Sequence, residues 1–249
     1  MDYDIFREEL AAKYPAYGHA LWEPSPGGHY AAVEIGDVGF VRDGYFHRLF
    51  NILLPEDHPS HQDGVPQRHE PLVLRTRSPT STGTLHPNNL RSNGVLDRTD
   101  ESRRWASGPD EAAQLSFSCS RRRGAILSLP VPAQRKDTTA RGVFAKCITK
   151  HINEWFAFTQ ERGLGINRED IILVTGCHLA RTWATIAFQE REEQLSFGVQ
   201  VSGLSDVIWQ FTPEGAQGVA YNLGPSGQVR FSIFLPPQQT LQQVMIDLD

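Results

Sequence analysis

Apolar residues along this chain come mostly in short runs that are rich in β-branched and aromatic side chains. Runs of this kind, bounded by glycine, proline and polar residues, are typical of β-strands. Six of them follow one another in the second half of the sequence, at residues 171–175, 182–189, 195–201, 207–212, 219–223 and 229–235. Their spacing of roughly ten residues, with turn residues between them, predicts an antiparallel meander.

The clearest local pattern is that of a β-hairpin. Strand-like runs at 30–35, 38–41 and 45–54 are separated by Gly36 and by the pair Asp43-Gly44. An Asp-Gly pair between two strands favours a tight turn whose residues adopt positive φ. We therefore predict that 38–41 and 45–54 pair as a hairpin.

The segment 55–110 has a different character, because proline, serine, threonine, asparagine, histidine and arginine dominate it. Only 72–74 and 95–96 are apolar enough to predict strands there, so we expect a long polar loop. Regular patterning returns at 114–118 and 124–129, two predicted strands that an arginine-rich connection joins.

Two segments have helical spacing. Between Asp4 and Tyr14, the apolar residues Ile5, Phe6, Leu10 and Tyr14 recur at helical intervals before Pro15, which predicts a short amphipathic helix. The longer helix is predicted at about 138–162, with Thr138 and Thr139 as capping residues and Gly163 as its end. Its apolar stripe, which we expect to pack on the sheet, consists of Phe144, Ile148, Ile152, Trp155 and Phe156.

These elements predict an α+β fold, in which a mostly antiparallel β-sheet or sandwich packs against one long helix and a short N-terminal helix. A chain of 249 residues can bury a sizeable core as a single unit. We expect one domain over 1–235, with the long polar loop at about 55–110. Residues 236–249 are expected to form a polar C-terminal tail.

The net charge of −5 and the pI of about 6.0 argue against a nucleic-acid partner and against attraction to anionic lipid. The chain also lacks the basic start and apolar stretch of a signal peptide, and has no apolar run long enough for a membrane span. Its three cysteines are widely spaced and form no C-x-x-C pair. We therefore expect an intracellular protein, cytoplasmic or nuclear, with no membrane partner.

The densest group of potential metal ligands is Asp57, His58, His61 and Asp63. Imidazole and carboxylate groups together bind divalent zinc, iron or manganese, so these residues are a candidate metal site. Pro59 lies between the two histidines, which leaves their relative directions open. The alternative is that they hydrogen-bond and stabilise a surface turn; apart from this possible divalent metal we expect no cofactor.

Other chemical motifs are sparse. The sequence contains no phosphate-binding glycine loop, nucleophile elbow or helical zinc motif, which favours binding over catalysis. Cys177 and His178 adjoin, but neighbours on a strand point to opposite faces, so we do not expect a catalytic pair. Trp22 and Glu23, in a loop rich in proline and glycine, are the candidate exposed anchor for a ligand.

Six stretches of the sequence stand out together. They are Ala20-Leu21-Trp22-Glu23-Pro24, Gly36-Asp37-Val38-Gly39-Phe40, Phe46-His47-Arg48-Leu49-Phe50-Asn51, Leu54-Pro55-Glu56-Asp57-His58-Pro59, Ile171-Ile172-Leu173-Val174-Thr175-Gly176 and Arg181-Thr182-Trp183-Ala184. In combination they resemble an uncharacterised protein family of mushroom-forming (basidiomycete) fungi, over about residues 17 to 219. The family has no established activity, so the resemblance implies only a fungal, intracellular origin and a chain shorter than many of its relatives.

Three functions are consistent with these observations. The first is a non-catalytic binding or interaction module, with the 55–110 loop displayed by the sheet to a protein or small-molecule ligand. The second is a metal-dependent hydrolase that uses Asp57, His58, His61 and Asp63. The third is a β-rich pore-forming domain, against which the acidic net charge argues. The absence of catalytic motifs favours the first.

Overall fold

The computed structural model describes residues 2–24, 32–75, 80–85, 89–98, 112–129, 132–189, 195–202, 208–212, 218–224 and 231–235. Within these residues the chain forms two α-helices and sixteen short strands, and the sheets are antiparallel throughout. The protein is therefore α+β and β-rich, with one long helix and a short N-terminal one, as the sequence predicts. The expected tail at 236–249 lies outside the described residues.

The helices are α1 (Asp2–Ala11) and α2 (Arg141–Glu161). The strands, in chain order, are β1 (His19–Ala20), β2 (Asp37–Arg42), β3 (Tyr45–Asn51), β4 (Thr80–Leu85), β5 (Asn89–Arg91), β6 (Val95–Asp97), β7 (Ala112–Cys119), β8 (Arg123–Ser128), β9 (Ala133–Thr138), β10 (Ile172–Leu173), β11 (Gly176–Ala180), β12 (Ala184–Gln189), β13 (Leu195–Ser202), β14 (Ile208–Thr212), β15 (Val219–Leu223) and β16 (Phe231–Leu235).

The strands are arranged in four sheets, with the orders β1-β16-β11-β9-β4, β10-β2-β3, β15-β12-β8-β5 and β14-β13-β7-β6. The last two sheets are built from the same four chain segments, which are β5–β6, β7–β8, β12–β13 and β14–β15. Each segment supplies one strand to each sheet, and the segments follow the same order in both sheets. This arrangement differs from the expected meander. Among the described strands that follow α2, β13 and β14 are the one pair that is both consecutive in the chain and hydrogen-bonded. Turn residues mark where a strand ends, but they do not show whether the next strand pairs with it or enters another sheet.

The hairpin of β2 and β3 is confirmed. Its turn residues Asp43 and Gly44 have φ of 53° and 88°, the positive values that the Asp-Gly pair predicts. Gly39 is required by close packing, because a Cβ atom there would lie 2.1 Å from the backbone oxygen of His47. The described part of the expected strand at 30–35, residues 32–35, is not a strand. The chain turns there instead, and the N–H of Asp37 donates to the carbonyl of Glu34 at 3.1 Å.

The 55–110 segment is only partly a loop. Residues 55–75 form hydrogen-bonded turns without helix or strand, and the strand expected at 72–74 is absent. Beyond them the chain forms β4, β5 and β6, of which the sequence predicts only the last. The β4 strand is polar and exposed over most of its length, so it has no buried face that hydrophobic alternation would reveal.

Helix α1 covers the sheet that contains β8 and β12. Its Ile5, Phe6 and Leu10 are buried against a cluster that includes Leu127 and Trp183. The apolar spacing of this helix therefore correctly identifies its buried side.

Helix α2 packs on the β2–β3 hairpin. Phe144, Ile152 and Trp155 are buried and Ile148 is partly buried, in one cluster with Phe50 of β3, so the predicted packing of the stripe is confirmed. The helix begins at Arg141, later than expected, because residues 133–138 form β9. Thr138 does not cap the first turn; its Oγ1 accepts the N–H of Ala140 at 3.1 Å. The helix ends as predicted before Gly163, whose φ is 64°.

In the part of the chain that the structure describes, neither helix combines the length and the apolar character that a membrane crossing requires.

Candidate functional site

The four predicted metal ligands do not have equivalent surroundings. The side chains of Asp57 and Asp63 are exposed, whereas His58 is partly buried and His61 is buried. The two imidazole rings lie 6.1 Å apart between centroids. Nδ1 of His58 accepts the N–H of Ser60 at 3.2 Å, which is a contact within one turn.

His61 is held by two hydrogen bonds. Its Nε2 accepts the backbone N–H of Asn51 at 3.1 Å. Its Nδ1 lies 3.3 Å from the carbonyl oxygen of Glu56, so the neutral tautomer with a proton on Nδ1 satisfies both contacts. Burial lowers the pKa of His61, which favours this neutral form. The ring thereby joins the start of the 55–75 turns to the end of β3.

Among the described residues, no group of three or more histidine, cysteine, aspartate and glutamate side chains is placed to hold a metal ion. His61 would have to release the N–H of Asn51 to offer Nε2 to a metal. The metal site therefore stays a prediction, and the observed contacts correspond to its alternative, the stabilisation of a turn.

A buried polar network at the base of the hairpin was not predicted. Asp37 is fully buried, and its carboxylate accepts hydrogen bonds from Arg48 at 2.6 Å, from Asn51 Nδ2 at 2.8 Å and from the N–H of Glu34 at 2.7 Å. Burial raises the pKa of Asp37, while Arg48 and the hydrogen bonds oppose that rise. Through Asn51 the network continues to His61.

Two of the stretches quoted in the sequence analysis supply residues of this network: one supplies Asp37, and another supplies Arg48 and Asn51. Each of these side chains makes a contact within the hairpin, so each stabilises local structure. In the sequence these residues are an aspartate after Gly36 and an arginine inside a predicted strand. No spacing rule indicates that their side chains meet.

The expectation that Trp22 is an exposed anchor is wrong. Only 9% of Trp22 is exposed, and its ring packs edge-on against Phe6 with centroids 5.3 Å apart. Its backbone oxygen accepts the hydroxyl of Thr185 at 2.9 Å. Glu23 is partly buried, and its N–H donates to Gly44 at 3.0 Å. The loop composition suggested exposure, but the chain on either side brings this tryptophan beneath α1.

A cavity with polar walls lies between β4, β9 and the start of α2. Its volume is about 480 Å³. Ser81, Thr82 and Gly83 form one wall, and Arg135 and Asp137 of β9 form the next. These strands are paired, with Ser81 opposite Asp137 and Gly83 opposite Arg135, so alternation places those residues on one face of the sheet. The third wall is formed by Thr139, Arg141 and Gly142.

Two arginines therefore line one cavity. Arg135 Nε contacts Asp137 Oδ2 at 2.5 Å, so the carboxylate balances the charge of Arg135. The positive charge of Arg141 is then left without a counter-charge in the cavity lining. Arg141 is exposed and forms no ion pair with another residue in the described part of the chain. The first turn of α2 has neither an acidic residue nor a side-chain cap, so its positive end is not compensated by the helix itself.

His178 of β11 lies beside this charged face, because it pairs with Arg135 across the sheet. It is buried, and its ring lies 5.5 Å from that of Tyr17. Burial and then the positive charge of Arg135 lower the pKa of His178 to about 4, against the opposing effect of Asp137. The preceding Cys177 is also buried on the same strand, and the expected separation of the two neighbouring side chains fits the strand geometry.

A second cleft, of about 170 Å³, lies between residues 66–73 and α2. Ile52, Leu72 and Trp155 supply apolar surface, and Glu154 of the helix accepts the N–H of Arg68 at 3.1 Å. Cys147 also lines it, but burial raises the pKa of this thiol, which is unfavourable for a nucleophile. The cleft is smaller than the roughly 300–1,000 Å³ of typical small-molecule sites.

No protein-family model matches this chain, and comparison with curated proteins finds no match either. The likeness to the fungal family therefore depends on the quoted stretches alone and stays a prediction.

Proposed function

We propose that this protein is a non-catalytic binding module whose cavity between β4, β9 and α2 takes a small molecule that carries a phosphate or carboxylate group. The observation that carries the proposal is that Arg135 and Arg141, from a strand and a helix, line the same cavity. The binding or interaction role that the sequence favours is retained. Its proposed position is this cavity, one wall of which is the β4 part of the 55–110 segment, and not Trp22.

The size of the cavity supports a small-molecule ligand. Its volume of about 480 Å³ lies within the roughly 300–1,000 Å³ of typical ligand sites. The cleft beside residues 66–73, at about 170 Å³, lies below that range. Of these two cavities, the one between β4, β9 and α2 is therefore the better candidate.

The charges and hydroxyl groups support an anionic ligand. Guanidinium groups form paired, charge-assisted hydrogen bonds with phosphate and carboxylate oxygens. Arg141 has its charge available, and hydroxyl groups such as that of Ser81 can add further hydrogen bonds. The carboxylate of Asp137 is already paired with Arg135, so it neutralises one guanidinium and leaves the other.

The proposal is tested by calorimetric titration of the full chain with pyrophosphate and with inorganic phosphate, at low and at physiological salt. We expect saturable binding that Arg141→Gln weakens about tenfold or more, because a hydrogen bond to a charged group contributes about 1.5–3 kcal/mol. Arg135→Gln should weaken binding at least as much, since it also leaves the carboxylate of Asp137 without its ion pair and therefore repelling the anion.

Lys136→Gln is the matched control. Lys136 lies between Arg135 and Asp137 on β9, but alternation directs its side chain to the other face of the sheet. The substitution removes the same charge from the same strand and should leave the affinity within about twofold, a difference of less than 1 kcal/mol. Equal losses in the lysine and arginine variants would indicate general electrostatic attraction and contradict a defined site, as would the absence of saturable binding in the wild type.

A further inference from the structure

The edge strand β4 has an unusual combination of position and composition. It is the last strand of its sheet, paired with β9 on one side, and in the described part of the chain no strand pairs with its other side. Five of its six residues are exposed. An edge of this kind presents alternate backbone N–H and C=O groups that a further strand can pair with.

Most proteins protect such edges from other chains. The usual devices are charged side chains, proline, a bulge or a very short strand. The sequence of β4, Thr-Ser-Thr-Gly-Thr-Leu, contains no charged residue and no proline, and its pairing with β9 runs over six residues without a register shift. The strand is therefore regular and uncharged along its whole length.

The sequence of β4 is also nearly symmetrical about Thr82. In an antiparallel pair of two identical strands centred on that residue, Thr82 faces its own copy and Thr80 faces Thr84. Ser81 then faces Gly83. Cross-strand threonine pairs stabilise antiparallel sheets, and a two-fold axis requires this kind of self-complementary surface.

We propose that β4 is a self-association surface, on which two copies of this chain pair antiparallel about Thr82 and join their sheets into one. The partner is a second copy because the strand is its own best complement: every threonine meets a threonine. Leu85 anchors the end of the strand, since it packs against the core cluster under α1. The edge is thus held in position before a partner arrives, which lowers the entropic cost of association.

This inference does not depend on the proposed ligand. Thr80 and Thr84 do not line the cavity, and they lie on the face of β4 opposite to Ser81 and Gly83. Pyrophosphate binding and self-association can therefore be measured separately in the same variants, and one proposal can fail while the other holds.

The test compares two double variants that carry charges at the same positions. In Thr80→Lys/Thr84→Lys, like charges face each other twice across the two-fold axis. In Thr80→Lys/Thr84→Glu, each lysine faces a glutamate of the other copy. Within one chain the two positions are about 13 Å apart along the strand, so the two introduced side chains do not meet each other inside the monomer. Both lie diagonal to Lys136 of β9, an effect on the monomer that the thermal melts measure separately.

Sedimentation equilibrium over a range of concentrations should show the wild type rising from its chain mass of 27.9 kDa towards twice that value. The dilysine variant should dissociate about tenfold more readily, whereas the lysine–glutamate variant should stay within about threefold of the wild type. Thermal melts of each monomer check that both variants are folded.

Three outcomes would overturn the proposal. One is a wild type that stays monomeric at high concentration. Another is an equal loss of association in both variants, which would exclude the antiparallel register about Thr82. The last is unchanged association of the dilysine variant, which would place the contact on another surface.

Discussion

The guanidinium of Arg48 donates to the carboxylate of Asp37 at 2.6 Å, inside a hairpin in which Asp37 has no exposed surface. The ion pair joins β3 to the start of β2, and the same carboxylate is bound by Asn51. A buried pair of this kind is costly to break, because the remaining charge is left without a partner.

We therefore expect Asp37→Asn to reduce the free energy of unfolding by about 3–5 kcal/mol, since it leaves the guanidinium of Arg48 uncompensated. Urea unfolding followed by tryptophan fluorescence measures the loss. Asp37→Asn combined with Arg48→Met should lose less than the sum of the two single variants, because both members of the pair are then absent. Strict additivity would contradict a direct pairing.

His61 provides a second structural test. His61→Ala removes the acceptor of the Asn51 N–H, so we expect a loss of about 1–3 kcal/mol in the free energy of unfolding. His58→Ala is the matched control, because Nδ1 of His58 accepts the N–H of Ser60 within one partly buried turn, and it should lose less, about 0.5 kcal/mol. Equal effects of the two substitutions would show that the buried hydrogen bond has no special importance.

The metal hypothesis for Asp57, His58, His61 and Asp63 can be decided by metal analysis of the purified chain. Because both ring nitrogens of His61 contact the backbone, we expect no stoichiometric zinc, iron or manganese at these residues. Stoichiometric metal in the wild type that is lost in the His58→Ala/His61→Ala double variant would contradict this expectation and support the hydrolase alternative.

Acid should destabilise the protein through His178. Its pKa in the folded state is lowered to about 4, below the ordinary value of 6.5, so the folded state holds it neutral. The free energy of unfolding is therefore unaffected by His178 above pH 6.5. It decreases as the pH falls from 6.5 towards 4, because the unfolded chain binds a proton at His178 that the folded chain does not. At about pH 5 the loss is on the order of 2 kcal/mol.

Urea unfolding of the wild type and of His178→Asn at about pH 7.5 and pH 5 measures this dependence. The variant should lose less stability between the two pH values than the wild type. The pH dependence that remains is expected from His19, His47 and His61, whose pKa values burial also lowers. An identical pH dependence in both proteins would contradict the assignment to His178.

Gly39 should tolerate no side chain. A Cβ atom at this position would meet the backbone oxygen of His47 at 2.1 Å, and backbone cannot move aside as a flexible side chain can. We expect Gly39→Ala to destabilise by at least about 1–3 kcal/mol. Gly142→Ala is the control, since nothing lies within 4 Å of its added Cβ; it should stabilise α2 by up to about 1 kcal/mol. A neutral Gly39→Ala would contradict the close approach of the two strands.

The correct predictions depend on short-range patterns. The Asp43-Gly44 turn, the buried stripe of α2 and strand β15 each depend on residues that lie close together in sequence. The errors occur where a partner from elsewhere in the chain decides the outcome. Trp22 lies in a segment that reads as an exposed loop, yet α1 and Thr185 bury it.

Strands β9 and β11 were missed for a related reason. Ala133–Thr138 is mostly polar, and Gly176–Ala180 begins with a glycine that reads as a turn. Each becomes a strand because a neighbour on either side offers backbone partners. Arg135 and Asp137 lie two residues apart on β9 and therefore on one face, but no sequence pattern indicates that they share this face with Ser81.

Apolar spacing and turn residues are enough to specify the α+β class, the hairpin and the buried side of each helix, because they act on the backbone close by in the chain. The meeting of Arg135 and Arg141 at one cavity, the edge position of β4 and the pairing of Asp37 with Arg48 arise from the tertiary fold. These relationships depend on strand order and register. Both are set by contacts between segments far apart in the chain, and no local pattern encodes them.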